Sequence, residues 1–221
     1  NFSKVLNFGK VITLDIMIKN IISIFFLIIS FSAFAEDGSR LWLRFSDVNA
    51  SMCKFSGIVG ESYSLPVTEF QIAWNEITKS TLPHQKTILD NSLIIGTLKD
   101  KSINNLGLSA EIKDLGNEGY LIRSLNSKGK MLTIVAANSD AGLLYGVYGL
   151  LRIIQTQQFS NMLNIKEKPS FDIRILNHWD NLDGTVERGY AGRSIWKWDE
   201  LPGKISTRYK VYARANASIG I

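Results

Sequence analysis

Apolar and polar positions along this chain switch between two periods. Leu41, Leu43 and Phe45 alternate with Trp42 and Arg44 inside EDGSRLWLRF (36–45), which predicts a short opening strand. In TEFQIAWNEITKSTL (68–82), Phe70, Ile72, Ala73, Ile77 and Leu82 fall at helical spacing, with Thr68 as cap and Pro83 as stop. SLIIGTL (92–98) is a short apolar run that predicts a buried strand. GYLIRSL (119–125) and KMLTIVA (130–136) flank the turn cluster NSKG and predict a hairpin. Asn138, Ser139 and Asp140 then supply cap chemistry for a helix over 141–155, whose stripe is Leu143, Leu144, Val147, Leu150, Leu151 and Ile154. The order strand, helix, strand, hairpin, helix makes an α+β layer of residues 36–155.

Three glycines sit inside that last helix, at 142, 146 and 149. Each costs about 1 kcal/mol of helix stability against alanine, and close packing of the helix on a sheet is the reason that offsets it. Gly142-xxx-Gly146 also fits a membrane dimer motif, but Tyr145, Tyr148 and Arg152 beside it argue against a lipid face. Residues 155–171 read as a polar crossing segment, with a boundary at Lys168-Pro169. FDIRILN (171–177) predicts a new strand. A helix follows from about Ser206 to Ala215, ended by Asn216, and SIGI (218–221) reads as the start of a second strand.

Composition narrows the picture. With 221 residues, 45% hydrophobic and 20% charged, the chain has room for one or two domains with a real core. The net charge of +5 is partly a property of the first 35 residues; beyond them 22 basic side chains face 19 acidic ones. They are scattered, so the clustered basic face of a nucleic-acid binder is missing. From Met17, MIKNIISIFFLIISFSAFA offers a charged n-region, an apolar run of 11 residues (21–31) and the small-x-small ending Ala33-Phe34-Ala35. That is the pattern of a secretory signal peptide over 17–35, and the run is short of the ~20 residues a membrane span needs. Residues 1–16 then carry no fold signal, and the protein is expected to be exported, periplasmic or secreted. The single cysteine, Cys53, forms no internal disulfide and reads as a small buried apolar residue. With only His84 and His178 beside it, the sequence offers no zinc ligand set.

The most unusual stretch is NHWDNLDGTVERGYAGRSIWKW (177–198), which packs three tryptophans among acids, arginines and glycines. RILNHWDNLDGTVERGYAGRSIWKW resembles the signature of glycoside hydrolase family 67, the xylan α-glucuronidases. EDGSRLWLRF and ANASIGI are similar to that family's opening and to its continuation into a second barrel strand. The likeness covers 36–221 and is strongest over 171–221. It implies an α+β N-terminal accessory domain over 36–168, like the accessory domain of β-hexosaminidases. The start of a (β/α)8 TIM barrel over 169–221, truncated at Ile221, would follow. FDIRILN would be the first barrel strand, and barrel active sites lie at the C-terminal ends of strands.

The family resemblance implies an inverting enzyme that hydrolyses the α-1,2 bond between (4-O-methyl)glucuronic acid and xylose. Its acid and base carboxylates would stand on later strands, so no catalytic role passes to Asp180, Asp183 or Glu187, and the chain alone is expected to be inactive. Trp179 is either a sugar platform or a core tryptophan, and its place after a strand favours the platform. Asn181 and Asp183 are turn formers or sugar contacts. Arg193 either fixes the loop by an ion pair, as Glu187 and Arg188 are expected to, or grips a uronate carboxylate. Trp196 and Trp198 are expected to anchor the loop in its core, and His178 to be a hydrogen-bonded structural residue. The expected partner is a glucuronoxylooligosaccharide, with no cofactor, metal, nucleic acid or membrane, and a homodimer is one assembly open to the whole protein. Two other readings remain: a stand-alone carbohydrate-binding module, and another barrel glycosidase with the same accessory domain.

Overall fold

Five strands make one mixed sheet: β1 (Gly57–Val59), β2 (Ser92–Thr97), β3 (Tyr120–Ser127), β4 (Lys130–Ala137) and β5 (Asn164–Glu167), in the order β1-β2-β4-β3-β5. The coordinates are a computed structural model that describes residues 53–221, residues 43–46, and the isolated positions 20, 48 and 51. The signal peptide expected at 17–35 (position 20 aside), the stretch 1–16 and residues 41–42 lie outside the described residues. The fold set out below belongs to the unit Arg40–Ile221.

β1, β2 and β4 run parallel, while β3 is antiparallel to both β4 and β5. The hairpin expected from the sequence is present, with Ser127 paired to Lys130. Its two loop residues, Lys128 and Gly129, have φ of 52° and 76°, the left-handed pair whose twist matches a two-residue hairpin. Strand periodicity then sorts the side chains. Leu93, Ile95, Ile122, Val135 and Ala137 enter one core, whereas Ile94, Leu121, Leu132, Ile134 and Ala136 enter a second on the opposite face. A sheet covered on both faces explains why SLIIGT is buried at every position.

The first face is covered by α1 (Leu65–Thr78) and α4 (Asp140–Gln155). The second is covered by the short helices α2 (Lys101–Asn104) and α3 (Ser109–Asp114), through Ile103, Leu108, Ile112 and Leu115. α1 starts a turn earlier than Thr68, after Ser64, because Pro66 is tolerated in a first turn where its missing N–H is not needed. It stops at Lys79, whose φ of 56° ends the helix before Pro83 is reached. α4 is capped as expected, with Gly142 N donating to Ser139 Oγ at 3.2 Å. Its glycines face the sheet. A Cβ on Gly142 would stand 2.6 Å from Gly119 O, and one on Gly146 2.9 Å from Val135 Cγ1. A Cβ on Gly149 would stand 2.8 Å from the Tyr120 hydroxyl.

Other expectations change. Residues 43–46 form no strand, although Leu43 and Phe45 do pack on the first core. Their alternation records burial without a ladder; the Gln155 amide takes the ladder's place, accepting from Ser46 N at 3.0 Å and donating to Ser46 O at 2.9 Å. The crossing segment 155–171 contains β5, whose polar sequence hid it. Residues 171–177 pair with no strand among the described residues, and Phe171, Ile173 and Ile175 stand exposed. Residues 218–220 are a turn rather than a strand, with Ile219 N and Ile221 N both donating to Asn216 O. α5 (Thr207–Ala217) is capped by Ser206 as expected.

One ion cluster ties α3 to the β3–β5 edge. Arg123 donates to both Glu111 oxygens at 2.7 and 2.8 Å, and Lys166 Nζ lies 2.5 Å from the same carboxylate. Hydrogen bonds from Arg123 and then Lys166 hold the Glu111 carboxyl down at about 2.

Two measurements follow from this packing. Gly142→Ala adds helix propensity but drives a methyl into a backbone oxygen, so unfolding by urea should show a net loss of about 1–3 kcal/mol. For Glu111 the folded value lies below the unfolded one of about 4.3, so its contribution is complete above that pH and vanishes as the pH falls toward 2. The denaturation midpoints of the native chain and Glu111→Gln should therefore differ by a constant amount at neutral pH and converge only in that acid window.

Candidate functional site

The stretch 177–198 folds on itself before it meets anything else. Asn181 opens a tight turn, with Gly184 N donating to Asn181 O at 3.0 Å and Asn181 N to Thr185 O at 2.8 Å. The Asp183 carboxylate caps it, accepting from Thr185 N at 2.9 Å and Thr185 Oγ1 at 2.7 Å. Those bonds hold the Asp183 carboxyl below its ordinary value, with Arg193 adding a smaller electrostatic pull. Asn181 Nδ2 donates to Thr185 Oγ1 at 2.9 Å and to Glu187 O. Isolated bridges then join Asp180 to Val186 and Thr185 to Arg193. The Ser194 hydroxyl donates to Asp180 and accepts from Trp196 N at 3.0 Å.

α5 holds the far side. Trp196 packs on Tyr209 with ring centroids 4.8 Å apart and meets Tyr212 edge-on at 5.9 Å. The Tyr212 hydroxyl lies 2.6 Å from His178 Nε2, and Lys197 N donates to the Tyr209 hydroxyl at 2.8 Å. The helix spacing of Tyr209 and Tyr212, three residues apart, puts both rings on one face toward the loop.

Residues of 182–200 line a hollow of about 510 Å³, Asp183, Arg193, Trp196, Lys197, Trp198 and Glu200 among them. Trp198 is 65% exposed there. Arg193 Nη1 donates to Asp183 O at 3.0 Å. Glu200 bonds Lys204 at 3.1 Å and Lys197 at 3.3 Å, and these cations, Lys204 first, hold its carboxyl below the ordinary value. The rim thus presents an arginine, a lysine and charged carboxylates around an aromatic face, a set suited to a polar ligand with an apolar side.

Of the four residues singled out in the sequence, the structure brings Asp183 and Arg193 to the hollow. Asn181 sits behind them in the turn, both amide bonds spent on the loop. Trp179 stands 64% exposed and does not line the hollow; its carbonyl accepts from Glu187 N at 3.0 Å. Trp196 anchors the loop as expected, but Trp198 does not. Glu187 makes no ion pair with Arg188 or Arg193 among the described residues; Tyr190 beside it has its hydroxyl raised first by a hydrogen bond to Glu187. Lys197, Trp198 and Glu200 were missed as lining residues. Their signal was the run WKWDE, an aromatic pair mixed with opposite charges.

Among the described residues no group of three or more His, Cys, Asp and Glu is placed to hold a metal ion. Cys53 lies buried in the first core, and burial pushes its thiol up to about 12.

Comparison with known proteins gives the chain a family. The model of the glycosyl hydrolase family 67 N-terminus matches residues 41–150, and that of the family 67 middle domain matches residues 153–221. The chain is 32% identical over 202 residues to the probable alpha-glucuronidase A of Aspergillus fumigatus. It is 31% identical over 203 residues to the probable alpha-glucuronidase A of Neosartorya fischeri. The figure is 29% over 204 residues for the alpha-glucuronidase A of Aspergillus tubingensis. These alignments take in 85–86% of this chain and 23% of each relative, so the chain spans about a quarter of the length of those relatives. Two adjoining family models and relatives aligned along nearly the whole described chain show that it belongs to glycosyl hydrolase family 67.

Proposed function

We propose that this chain supplies the N-terminal layer and one substrate-facing wall of an exported, inverting α-glucuronidase. The whole protein would hydrolyse the α-1,2 bond between (4-O-methyl)glucuronic acid and xylose in xylooligosaccharides. Family membership and the activity named for the relatives support the enzyme class. The observation that carries the assignment of the wall is where the loop's polar groups go. Asp180 is held by Ser194 and Asp183 by Thr185, so both acids are committed to the turn. Inverting hydrolysis needs an acid and a base roughly 6.5–9.5 Å apart across the bond, and this loop offers binding groups instead. Arg193 has guanidinium donors beyond its one bond to Asp183 O and can grip a uronate in a forked pair. Trp198 and Trp179 give exposed aromatic faces for the C–H side of a pyranose. Asn181 acts by shaping the turn that carries Asp183.

The same reading divides the chain into an accessory domain over 36–168, like that of β-hexosaminidases, and the start of a (β/α)8 barrel over 169–221. It is supported by the glycine-packed helix behind a hairpin, and by the alternation of exposed Phe171, Ile173 and Ile175, which barrel neighbours would cover. Export rests on the leader pattern of residues 17–35.

The test is a calorimetric titration of the chain with a glucuronoxylooligosaccharide, its uronate methyl ester and the unsubstituted xylooligosaccharide. The charged ligand should bind best, and Arg193→Lys should weaken it by about tenfold while leaving the unsubstituted sugar unchanged. Equal binding of acid and ester would remove Arg193 from the role. Release of glucuronic acid by the chain alone would overturn the separation of wall from chemistry.

A further inference from the structure

Glu69 lies on α1, under the first face of the sheet, far in sequence from the candidate wall. It is 6% exposed, and two groups converge on one of its carboxylate oxygens. The Tyr148 hydroxyl of α4 donates to Glu69 Oε2 at 2.8 Å, and Arg214 Nε of α5 donates to the same oxygen at 2.7 Å. Arg214 Nη2 is buried with no hydrogen-bond partner, and although the side chain as a whole is 28% exposed, Nε is the atom that ties it to Glu69. An unpaired carboxylate or guanidinium in such a place is costly, which makes the pair an either-or contact.

Arg214 is two residues from Tyr212, the hydroxyl partner of His178, and five from Tyr209, the partner of Trp196 and of Lys197 N. α5 is a continuous helix from Thr207 to Ala217, so its residues move together. Its C-terminal end is held to the same layer by Arg152 Nη2, which donates to Ser218 O at 2.7 Å. The helix therefore transmits the position of the layer to the loop. A shift at Arg214 moves the two tyrosines that seat His178, Trp196 and Lys197, and with them the rim of the hollow.

We infer that Glu69 is a positioning residue for the substrate wall, setting the 177–198 loop through Arg214 and α5. The inference rests on reading that loop as the wall; the contact chain itself does not. Glu69→Gln is the informative change, because the amide oxygen can still accept from Tyr148 and Arg214 while the charge is lost and the second oxygen becomes an NH2 group.

The experiment is amide hydrogen exchange of the unliganded chain, read over 177–198, 206–217 and, as control, 120–137. Glu69→Gln should speed exchange about tenfold in the first two segments and leave the sheet unchanged. Tyr212→Phe, which removes the hydroxyl that meets His178, should speed 177–198 and spare 206–217. Acceleration of 206–217 with 177–198 unaffected, or equal acceleration of all three segments, would overturn the inference. Should Glu69→Gln not fold, Arg214→Lys serves in the same measurement with the same outcomes. In the whole glycosidase, Glu69→Gln should raise KM for the uronosyl oligosaccharide about tenfold with kcat nearly unchanged, and a fall in kcat at constant KM would count against it. Because exchange is read without sugar, failure of the unaltered chain to bind the oligosaccharide would sink the functional reading and leave the positioning result to stand.

Discussion

The separation between α4 and the sheet is fixed by three absent side chains. With Gly142 and Gly146 pressed against Gly119 O and Val135, the helix lies as near to β3 and β4 as backbone allows. That closeness is what lets one helix serve two directions. Its inner stripe fills the first core, while Tyr148, Arg152 and Gln155 reach outward to Glu69, to Ser218 and to Ser46. The entering chain, α1 and the C-terminal helix are thus all referenced to α4. Were the helix lifted by the width of a methyl group, the hydrogen bonds on its outer side would lengthen together, since each ends on an element packed against something else.

The candidate site follows a different economy. In the loop 177–198 Asn181 and Asp183 both bond Thr185, Ser194 bonds Asp180, and a dense local network of this kind holds shape without a large apolar core. What remains open is cationic and aromatic: the guanidinium donors of Arg193 beyond its bond to Asp183 O, and the Trp198 face. That residue balance suits recognition of a charged sugar. Two carboxylates at the rim of the hollow, Asp183 and Glu200, are both held below their ordinary values by donors alongside them.

Legibility in the sequence tracked the range of the interactions. The β3–β4 hairpin and α4 were readable because their signals are local: alternation about a turn, a stripe with a serine cap. The glycine face of α4 was readable too, since three costly residues on one helix demand a reason. β5 was not, because an edge strand of sequence NIKE carries no apolar period and owes its place to pairing with β3. The start of α1 was missed for want of weight on Ser64-Leu65-Pro66, a local signal that was present. In the loop, the role of Trp196 was legible and that of Trp198 was not. Two tryptophans two residues apart look alike in a sequence, and only the tyrosines of α5 decide which of them is covered.

The polar character of β5 has one more consequence. As the outer strand it leaves a row of main-chain groups open, the kind of edge on which another chain can grow a sheet. Its lysine is occupied by Glu111, its surface is charged, and it is only 4 residues long, so it makes a poor template. The residues just beyond it are the opposite, with Phe171, Ile173 and Ile175 bare on a stretch that pairs with no strand among the described residues. Crowding of this chain in solution would therefore drive copies together at 171–177 and leave the sheet's own margin untouched.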